Sequence, residues 1–260
     1  MRHRLVIRYL FPLLFFSLST DTLYSAELNF VTPNSAPFQY KTERGMRGPF
    51  ISIIQKVCDE MKISCSIVYV ESWNRAKHMV RMGSMFKQKK VNGVATLAWS
   101  EERTAWLYYS PPIIQTGYGF FTRNNDVRQP NSILGLKGYT ISVHGPSKSS
   151  RNLELIKNKI VDLDIDLSFD QEAGLKKLSR GRVDAVYLNK DIGKFLIKSL
   201  GLGNISYAFD HQTVNYFIAF SKVSTDKNIV DRFNATYIKL YERGIIQVLI
   251  GEDFRVTELY

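Results

Sequence analysis

The stretch LAWSEERTAWLYYSPP, residues 97–112, places a single arginine, Arg103, after two glutamates and ahead of a run of apolar and aromatic residues. A guanidinium presents a planar set of N–H donors that can bind a carboxylate through two parallel hydrogen bonds. Arg103 is therefore a candidate anchor for a ligand that carries a carboxylate. The alternative is a surface salt bridge with Glu101 or Glu102, which would contribute little stability and needs no particular place in the fold.

The first 26 residues have the pattern of a secretory signal peptide. A basic start, MRHRLVIR, precedes the apolar run YLFPLLFFSL at residues 9–18, and a polar segment then ends in small residues at Ala26. The apolar run is too short to span a bilayer, which disfavours the alternative of an uncleaved membrane anchor. We expect export and cleavage after Ala26.

The composition is that of a globular protein, with 45% hydrophobic and 23% charged residues, enough apolar material for a core. Removal of the first 26 residues lowers the formal net charge from +11 to +9. A basic surface attracts nucleic acid, an anionic membrane face or an anionic ligand. Because an exported protein meets little nucleic acid, we expect no nucleic-acid partner. The lysines of FKQKK, residues 86–90, are expected in an exposed loop.

The chain holds two cysteines, Cys58 and Cys65. After export the compartment is oxidising, so a disulfide is chemically allowed, and two buried free thiols are the alternative. The cysteines and the scattered histidines lack the spacing of metal ligands, so we expect no metal site. No Ser-His-Asp order and no phosphate-binding loop is visible either, and we expect no catalytic residue and no cofactor.

Strand-like and helix-like patterns alternate along the chain, which predicts an α/β fold with a mostly parallel sheet. The predicted strands are residues 27–32, 65–71, 91–99, 118–123, 139–145, 165–169, 183–188 and 213–222. The predicted helices are residues 48–62, 73–83, 147–159, 170–181, 189–201, 226–244 and 245–251. Residues 106–109 are interpreted as a further strand, packed inside the protein and not directed at a ligand.

A polar segment with Pro and Gly, residues 124–138, separates two α/β units and is expected to be a linker. The predicted architecture has two α/β lobes joined by two crossing strands, with a ligand cleft between the lobes. The first lobe is discontinuous, residues 27–118 and 214–260, and the second covers 119–213. Ligands of open α/β sheets bind beyond the carboxyl ends of the strands, and Arg103 follows one such end.

These features resemble the bacterial periplasmic solute-binding proteins of the polar amino acid type, family 3, which have the type II periplasmic-binding-protein fold. The stretch from Ser100 through Arg103 to Tyr109-Ser110-Pro111-Pro112 is similar to the family's T-x-x-R … F-S-x-P-Y motif. The segments GLKGYTISVHGPS and LKKLSRGRVDAVYLN resemble the start and a later part of the family's second lobe. The CDEMKISC spacing occurs as a disulfide in some members, which implies a Cys58–Cys65 bond.

The resemblance implies a set of ligand-binding residues. Arg103 would hold the carboxylate of the ligand. Thr96 and Ala98 would offer hydroxyl or backbone groups from a strand end, although Ala98 has only its backbone to offer. Ser147 would donate to the same carboxylate from the start of a helix, a place that favours anions.

Phe38 and Trp73 match positions of the family's aromatic wall, with core packing as the alternative for Trp73. Arg75 is a candidate second cation, with a solvated surface position as its alternative. Asn189 stands where amino-acid binders carry an aspartate that pairs with the ligand's ammonium group, and Thr32 stands where binders of cationic amino acids often carry an acid. With both acids missing, the resemblance gives little support to a cationic amino acid.

The function that the resemblance implies is capture of a small ligand with a carboxylate, an amino acid or a related compound, by closure of the lobes. The protein would be a periplasmic monomer that serves an ABC permease in the inner membrane. One alternative is an enzyme similar to the dehydratases of cyclohexadienyl acids or arogenate, for which Glu71 is the only candidate acid in the first lobe. The other is a free-standing ligand sensor.

Overall fold

A computed structural model of the protein describes residues 27–258. The predicted signal peptide and its cleavage point lie outside the described residues. The first half of the described chain contains strands β1 (Glu27–Thr32), β2 (Tyr40–Thr42), β3 (Gly45–Arg47), β4 (Ser64–Tyr69), β5 (Met85–Phe86), β6 (Lys89–Lys90), β7 (Gly93–Ala98), β8 (Leu107–Tyr109) and β9 (Ile114–Arg123). Its helices are α1 (Pro49–Met61), α2 (Trp73–Met82) and α3 (Glu101–Thr104).

The second half contains strands β10 (Thr140–His144), β11 (Asp164–Ser168), β12 (Ala185–Asn189), β13 (Ile205–Ser221) and β14 (Arg255–Val256). Its helices are α4 (Lys148–Lys157), α5 (Gln171–Ser179), α6 (Lys190–Leu200), α7 (Lys227–Glu242) and α8 (Ile245–Ile250), together with a short 3-10 helix at Ile133–Leu136. Within residues 27–258, no helix combines the length and the apolar character that crossing a membrane requires.

One sheet runs through both lobes in the order β11-β10-β12-β9-β13-β7-β1-β4. Strand β1 is parallel to β4 and β7, and β10 is parallel to β11 and β12. Between these two parallel groups lie β9 and β13, which pair antiparallel with each other and with their outer neighbours. The predicted fold class is confirmed: two α/β lobes are joined by two long crossing strands.

Each parallel group is covered by helices. Helices α1, α7 and α8 pack together over the first lobe, and α4, α5 and α6 pack on the strands of the second. Helix α1 shows why such helices form: Phe50, Ile53, Ile54 and Val57 recur at helical spacing and are fully buried. Complete burial of one such side chain stabilises the fold by roughly 1.5–3 kcal/mol.

The start of α1 also fixes the loop that carries Phe38. Gly48 precedes Pro49 with a φ of 116°, a backbone conformation that favours glycine. A Cβ at Gly48 would lie 2.5 Å from the carbonyl oxygen of Phe38. The absent side chain therefore lets the Phe38 loop lie directly against the first turn of the helix.

The structure contains a disulfide between Cys58 and Cys65, which are 7 residues apart. The bond joins the last turn of α1 to β4, where Cys58 is buried. The implied pairing is confirmed, and the alternative of two free thiols is wrong.

Two segments differ from their predicted form, and one short helix was not predicted. Residues 86–90 were expected in a loop, but β5 and β6 form a hairpin, because Lys87 and Gln88 both take the positive φ that a two-residue turn requires. The charged residues after Ser100 form the single-turn helix α3.

The predicted linker at 124–138 is the second difference, because it is packed onto the second lobe. Asp126 is buried, accepts a hydrogen bond of 2.7 Å from the Tyr139 hydroxyl and pairs with Arg128. A polar composition indicated a linker, whereas the polar groups in fact find partners inside the lobe.

Candidate functional site

The end of β7 and the single turn of α3 hold Arg103. Its Nη1 donates a hydrogen bond of 3.0 Å to the carbonyl oxygen of Ala98, the last residue of β7. Among residues 27–258, Arg103 makes no ion pair, so the alternative of a salt bridge with Glu101 or Glu102 is not realised there. A half-buried guanidinium with five N–H donors therefore stands at a strand end with most of its donors uncommitted.

Tyr109 lies beside this guanidinium. Burial raises the pKa of its phenol, and the positive charge of Arg103 opposes that shift. The ring centroid lies 5.5 Å from that of Phe217 in an edge-on arrangement, while the buried hydroxyl lies near the Ser100 backbone and the Arg103 side chain and forms no well-aligned hydrogen bond within the described chain. The strand predicted at 106–109 is present as β8, but its expected role of packing alone leaves this hydroxyl unexplained. The sequence signal that could have found it is its place inside the motif that contains Arg103.

The first lobe contains a second buried donor without a partner, Nε2 of Gln39. The Thr96 hydroxyl, buried in β7, donates to Oε1 of Gln39 at 2.7 Å. Gln39 has no exposed surface, and its Nε2 has no partner among residues 27–258. Thr96 therefore orients the Gln39 amide instead of presenting a free hydroxyl. No pattern in the sequence distinguished Gln39 from any other polar loop residue.

The two candidate wall residues are packed. Phe38 is fully buried, with its ring centroid 5.1 Å from that of Tyr216 and 5.4 Å from that of Phe254. Trp73, at the start of α2, is half-buried against the apolar cluster of the first lobe. Phe38 thus contacts the crossing strand β13 and Trp73 packs against the first lobe, and the wall role of both residues stays a prediction.

Ser147 caps the N-terminus of α4. Its hydroxyl accepts from the Ser150 backbone N–H at 3.1 Å and donates to the His144 carbonyl oxygen at 2.6 Å. Since the hydroxyl is engaged at both ends, what this helix start offers an anion is its free first-turn N–H groups. Nδ1 of His144 is buried close by and has no partner in the described part of the chain.

Asn189 is fully buried at the start of α6, and its amide is saturated. Its Oδ1 accepts from the backbone N–H groups of Asp191 and Ile192 at 3.0 and 3.1 Å. Its Nδ2 donates to the Thr116 hydroxyl at 3.1 Å and to the Tyr216 hydroxyl at 3.4 Å. Asn189 thus ties α6 of the second lobe to both crossing strands, and its predicted contact with a ligand stays a prediction.

Further hydroxyls extend this cluster across the crossing strands. The Tyr118 and Tyr216 hydroxyls lie 3.3 Å apart, and burial raises the pKa of both phenols. The Thr116 hydroxyl also donates to the carboxylate of Asp191. These groups form a polar layer between the lobes that links β9, β13 and α6.

The structure also brings lysines toward Arg103 that the sequence did not indicate. Arg75, the predicted second cation, is exposed on α2, and Lys77 lies two residues further on the same helix. Burial and the charges of Arg103 and Arg151 lower the pKa of Lys77. From the second lobe, Nζ of Lys148 donates to the Trp99 carbonyl oxygen at 3.3 Å. The role of Arg75 stays a prediction.

Comparisons with known proteins agree on the class. No protein-family model matches the chain. A protein of Campylobacter jejuni described as a probable histidine-binding protein is 24% identical over 223 residues, which are 81% of this chain and 82% of that protein.

Among solved structures, a histidine kinase sensor domain with similarity to periplasmic binding proteins superposes with a TM-score of 0.75 at 17% identity, covering 89% of this chain and 97% of that one. An ancestral arginine-binding protein bound to arginine gives 0.72 at 17%, covering 86% and 96%. An ancestral amino acid-binding protein, a precursor of cyclohexadienyl dehydratase, gives 0.71 at 16%, covering 88% and 96%.

The fold is therefore that of the periplasmic binding proteins, in the two-lobed type II arrangement. The predicted resemblance to the solute-binding proteins of the polar amino acid type is confirmed at the level of this fold. These comparisons do not identify the ligand, because the structural neighbours are less than 20% identical to this chain.

Proposed function

We propose that the protein captures a small solute bearing a carboxylate, an amino acid or a related compound, by closure of its two lobes. The proposal rests mainly on the surroundings of the Arg103 guanidinium. It is held at the carboxyl end of β7 by the Ala98 carbonyl and has no acidic partner within the described chain. A carboxylate would fill the donors that remain, in the bidentate geometry that guanidinium favours.

Neighbouring groups supply further contacts in this proposal. The Tyr109 hydroxyl and Nε2 of Gln39 are buried and unpartnered in the described residues, and such groups are destabilising unless something bonds to them. A bound ligand would satisfy them from the first lobe, while the first turn of α4, capped by Ser147, would contribute N–H donors from the second.

Lobe closure has a structural basis in the crossing strands. The lobes are connected through β9 and β13, and they touch where Lys148 donates to the Trp99 carbonyl. Rotation about two such strands opens and closes a cleft without disturbing either core. A ligand that contacts both lobes would favour the closed state through its better affinity for it.

In the cell, the protein would act in the periplasm as a monomer that presents its closed form to an ABC permease of the inner membrane. The predicted signal peptide supports export, and the relatives described as amino-acid-binding proteins support the solute class. Binding and closure need no cofactor, and no nucleic-acid partner enters the proposal.

Two other functions are each supported by one structurally similar protein. The similarity to a dehydratase precursor makes catalysis an alternative function. Its candidate acid is Glu71, which is exposed beyond the end of β4. The similarity to a histidine kinase sensor domain keeps a ligand sensor open. Turnover of prephenate or arogenate by the purified protein would replace binding with catalysis as the function.

The test is a thermal-shift screen of amino acids and other small carboxylates, followed by calorimetry on each hit. A ligand at 100 times its dissociation constant stabilises the folded state by about 2.7 kcal/mol. The Arg103→Ala variant should bind the hit about 100-fold more weakly, because a charge-assisted pair is lost. Arg232→Ala, which removes an exposed arginine on α7, is the matched control. Wild-type affinity in Arg103→Ala would overturn the site.

A further inference from the structure

Four cations from the two lobes lie close enough for their charges to act on one another. Lys77 on α2 and Arg103 on α3 come from the first lobe, and Lys148 and Arg151 on α4 come from the second. Two of their contacts fix the arrangement. Nη1 of Arg103 donates to the Ala98 carbonyl at 3.0 Å, and Nζ of Lys148 donates to the carbonyl of the next residue at 3.3 Å. Cations from opposite lobes therefore donate to two neighbouring backbone carbonyls, those of Ala98 and Trp99.

This cluster lacks acidic partners. None of its four members forms an ion pair with another group among residues 27–258, although cations elsewhere in the second lobe do, such as Lys177 with Asp166 at 2.7 Å. Burial, followed by the charges of Arg103 and Arg151, lowers the pKa of Lys77 and Lys148, while the exposed carboxylate of Glu102 partly opposes the shift at Lys77. Mutual repulsion of this kind disfavours closure unless negative charge enters the cluster.

One carboxylate on Arg103 would leave the two lysines uncompensated. The position where a cationic ligand would need an acid holds Thr32, which is buried and whose hydroxyl faces the Pro33 carbonyl. A cationic ligand side chain would in addition meet the positive charges of Lys77 and Lys148. The local charge therefore favours a ligand with a second anionic group over a neutral or cationic one.

We propose that the cleft selects a small dicarboxylate, with one carboxylate on Arg103 and the other between Lys77 and Lys148. The inference rests on the proposed function and narrows its ligand class. The two lysines act as specificity-determining residues from opposite lobes, so the second carboxylate also bridges the lobes. The shared chemistry is two carboxylates on a short carbon chain, which both an acidic amino acid and a simple diacid provide.

The experiment is calorimetric titration of the full chain, with its signal segment removed, using glutarate, L-glutamate, L-glutamine and L-arginine as probes. Glutarate or L-glutamate should bind at least about tenfold more tightly than L-glutamine, which has the same length and one carboxylate fewer. The glutarate and L-glutamate arms distinguish a simple diacid from an acidic amino acid, and tight binding of either one supports the inference.

Lys77→Met and Lys148→Met keep the apolar stem and remove the charge. Each should weaken binding of the tighter dicarboxylate about tenfold and binding of L-glutamine by a clearly smaller factor, a difference that a merely structural role would not produce. Lys157→Met, at the far end of α4, removes an exposed lysine that pairs with Asp164 and should have no effect. Unfolding curves confirm that each variant is folded.

The possible failures are distinguishable. If no carboxylate binds at all, the proposed function itself is wrong. If L-glutamine or L-arginine binds as tightly as the dicarboxylates, the proposed function stands and the selection for a dicarboxylate is wrong. If both lysine variants hold the dicarboxylate as tightly as the wild type, the assignment of Lys77 and Lys148 is overturned.

Discussion

At the scale of single residues, the decisive property is whether a polar atom is already used by the fold. The Asn189 amide and the Ser147 hydroxyl are engaged on all sides, whereas the Tyr109 hydroxyl and Nε2 of Gln39 have no partner in the described chain. A buried polar atom without a partner lowers stability by about 1–3 kcal/mol. In the proposed function, a bound ligand would complete these two atoms.

Tyr109→Phe tests this at one atom. The variant removes the unpartnered hydroxyl and keeps the ring against Phe217, so the free energy of unfolding of the free protein should stay the same or rise by about 1 kcal/mol. Ligand affinity should fall about fivefold, because the hydrogen bond to the ligand is lost. Chemical denaturation and calorimetry measure the two effects. A loss of stability together with unchanged affinity would contradict the assignment.

At the scale of elements, helix starts position the site. Helix α3 turns Arg103 back onto the strand it follows, α4 brings Lys148 to the Trp99 carbonyl, and α6 begins at Asn189. Strand ends, helix N-termini and the loops between them expose backbone groups that regular structure does not use. These junctions are therefore where the two lobes can bind something together.

The Asn189→Ala variant tests whether Asn189 mainly caps helix α6 or contacts the ligand. The variant removes the partner of two N–H groups of α6 and one of the partners of the Thr116 and Tyr216 hydroxyls. The free energy of unfolding should fall by about 2 kcal/mol, as for a lost N-cap with buried partners. Urea denaturation of the free protein measures it. Unchanged stability with a large loss of ligand affinity would instead assign Asn189 to the ligand.

At the scale of the whole molecule, two lobes with separate helical layers share one sheet through β9 and β13. The charge distribution follows this division. Acid–base pairs such as Arg128 with Asp184 lie within the second lobe, while the cluster of Lys77, Arg103 and Lys148 spans the two. The ion pairs of each lobe therefore stabilise that lobe, while the proposed site draws on cations that have no acidic partner in the described residues.

The disulfide acts on the stability of the first lobe. It closes a short loop between α1 and β4, which restricts the unfolded chain and should contribute about 2–3 kcal/mol. Reduction should lower the free energy of unfolding by that amount, measured by urea denaturation with and without reductant. The chain has only these two cysteines, so a two-dalton mass gain on reduction checks that the bond was present. Unchanged stability after that gain would contradict the prediction.

Much of the architecture was readable from local pattern. Helical periodicity, turn residues and apolar runs predict most of the longer elements to within a few residues, because 3.6-residue and two-residue repeats are local properties. The crossing strand β13 is an exception, since it begins at Ile205 and the predicted strand began at residue 213. The hairpin at Lys87 and Gln88 was missed because positive φ at two non-glycine residues leaves little trace in residue type. The buried Asp126 was missed because its partner, Tyr139, lies beyond the segment itself.

Local pattern along the chain predicted two α/β lobes, and the resemblance to the solute-binding proteins implied the Cys58–Cys65 disulfide and made Arg103 a candidate ligand residue. The hydrogen bond from Asn189 to Thr116, 73 residues away, and the approach of Lys77 and Lys148 to Arg103 are visible only in the folded chain. The physical reason is that hydrogen-bond partners and neighbouring charges are set by distance in space, and lobe packing brings together residues whose separation along the chain carries no pattern.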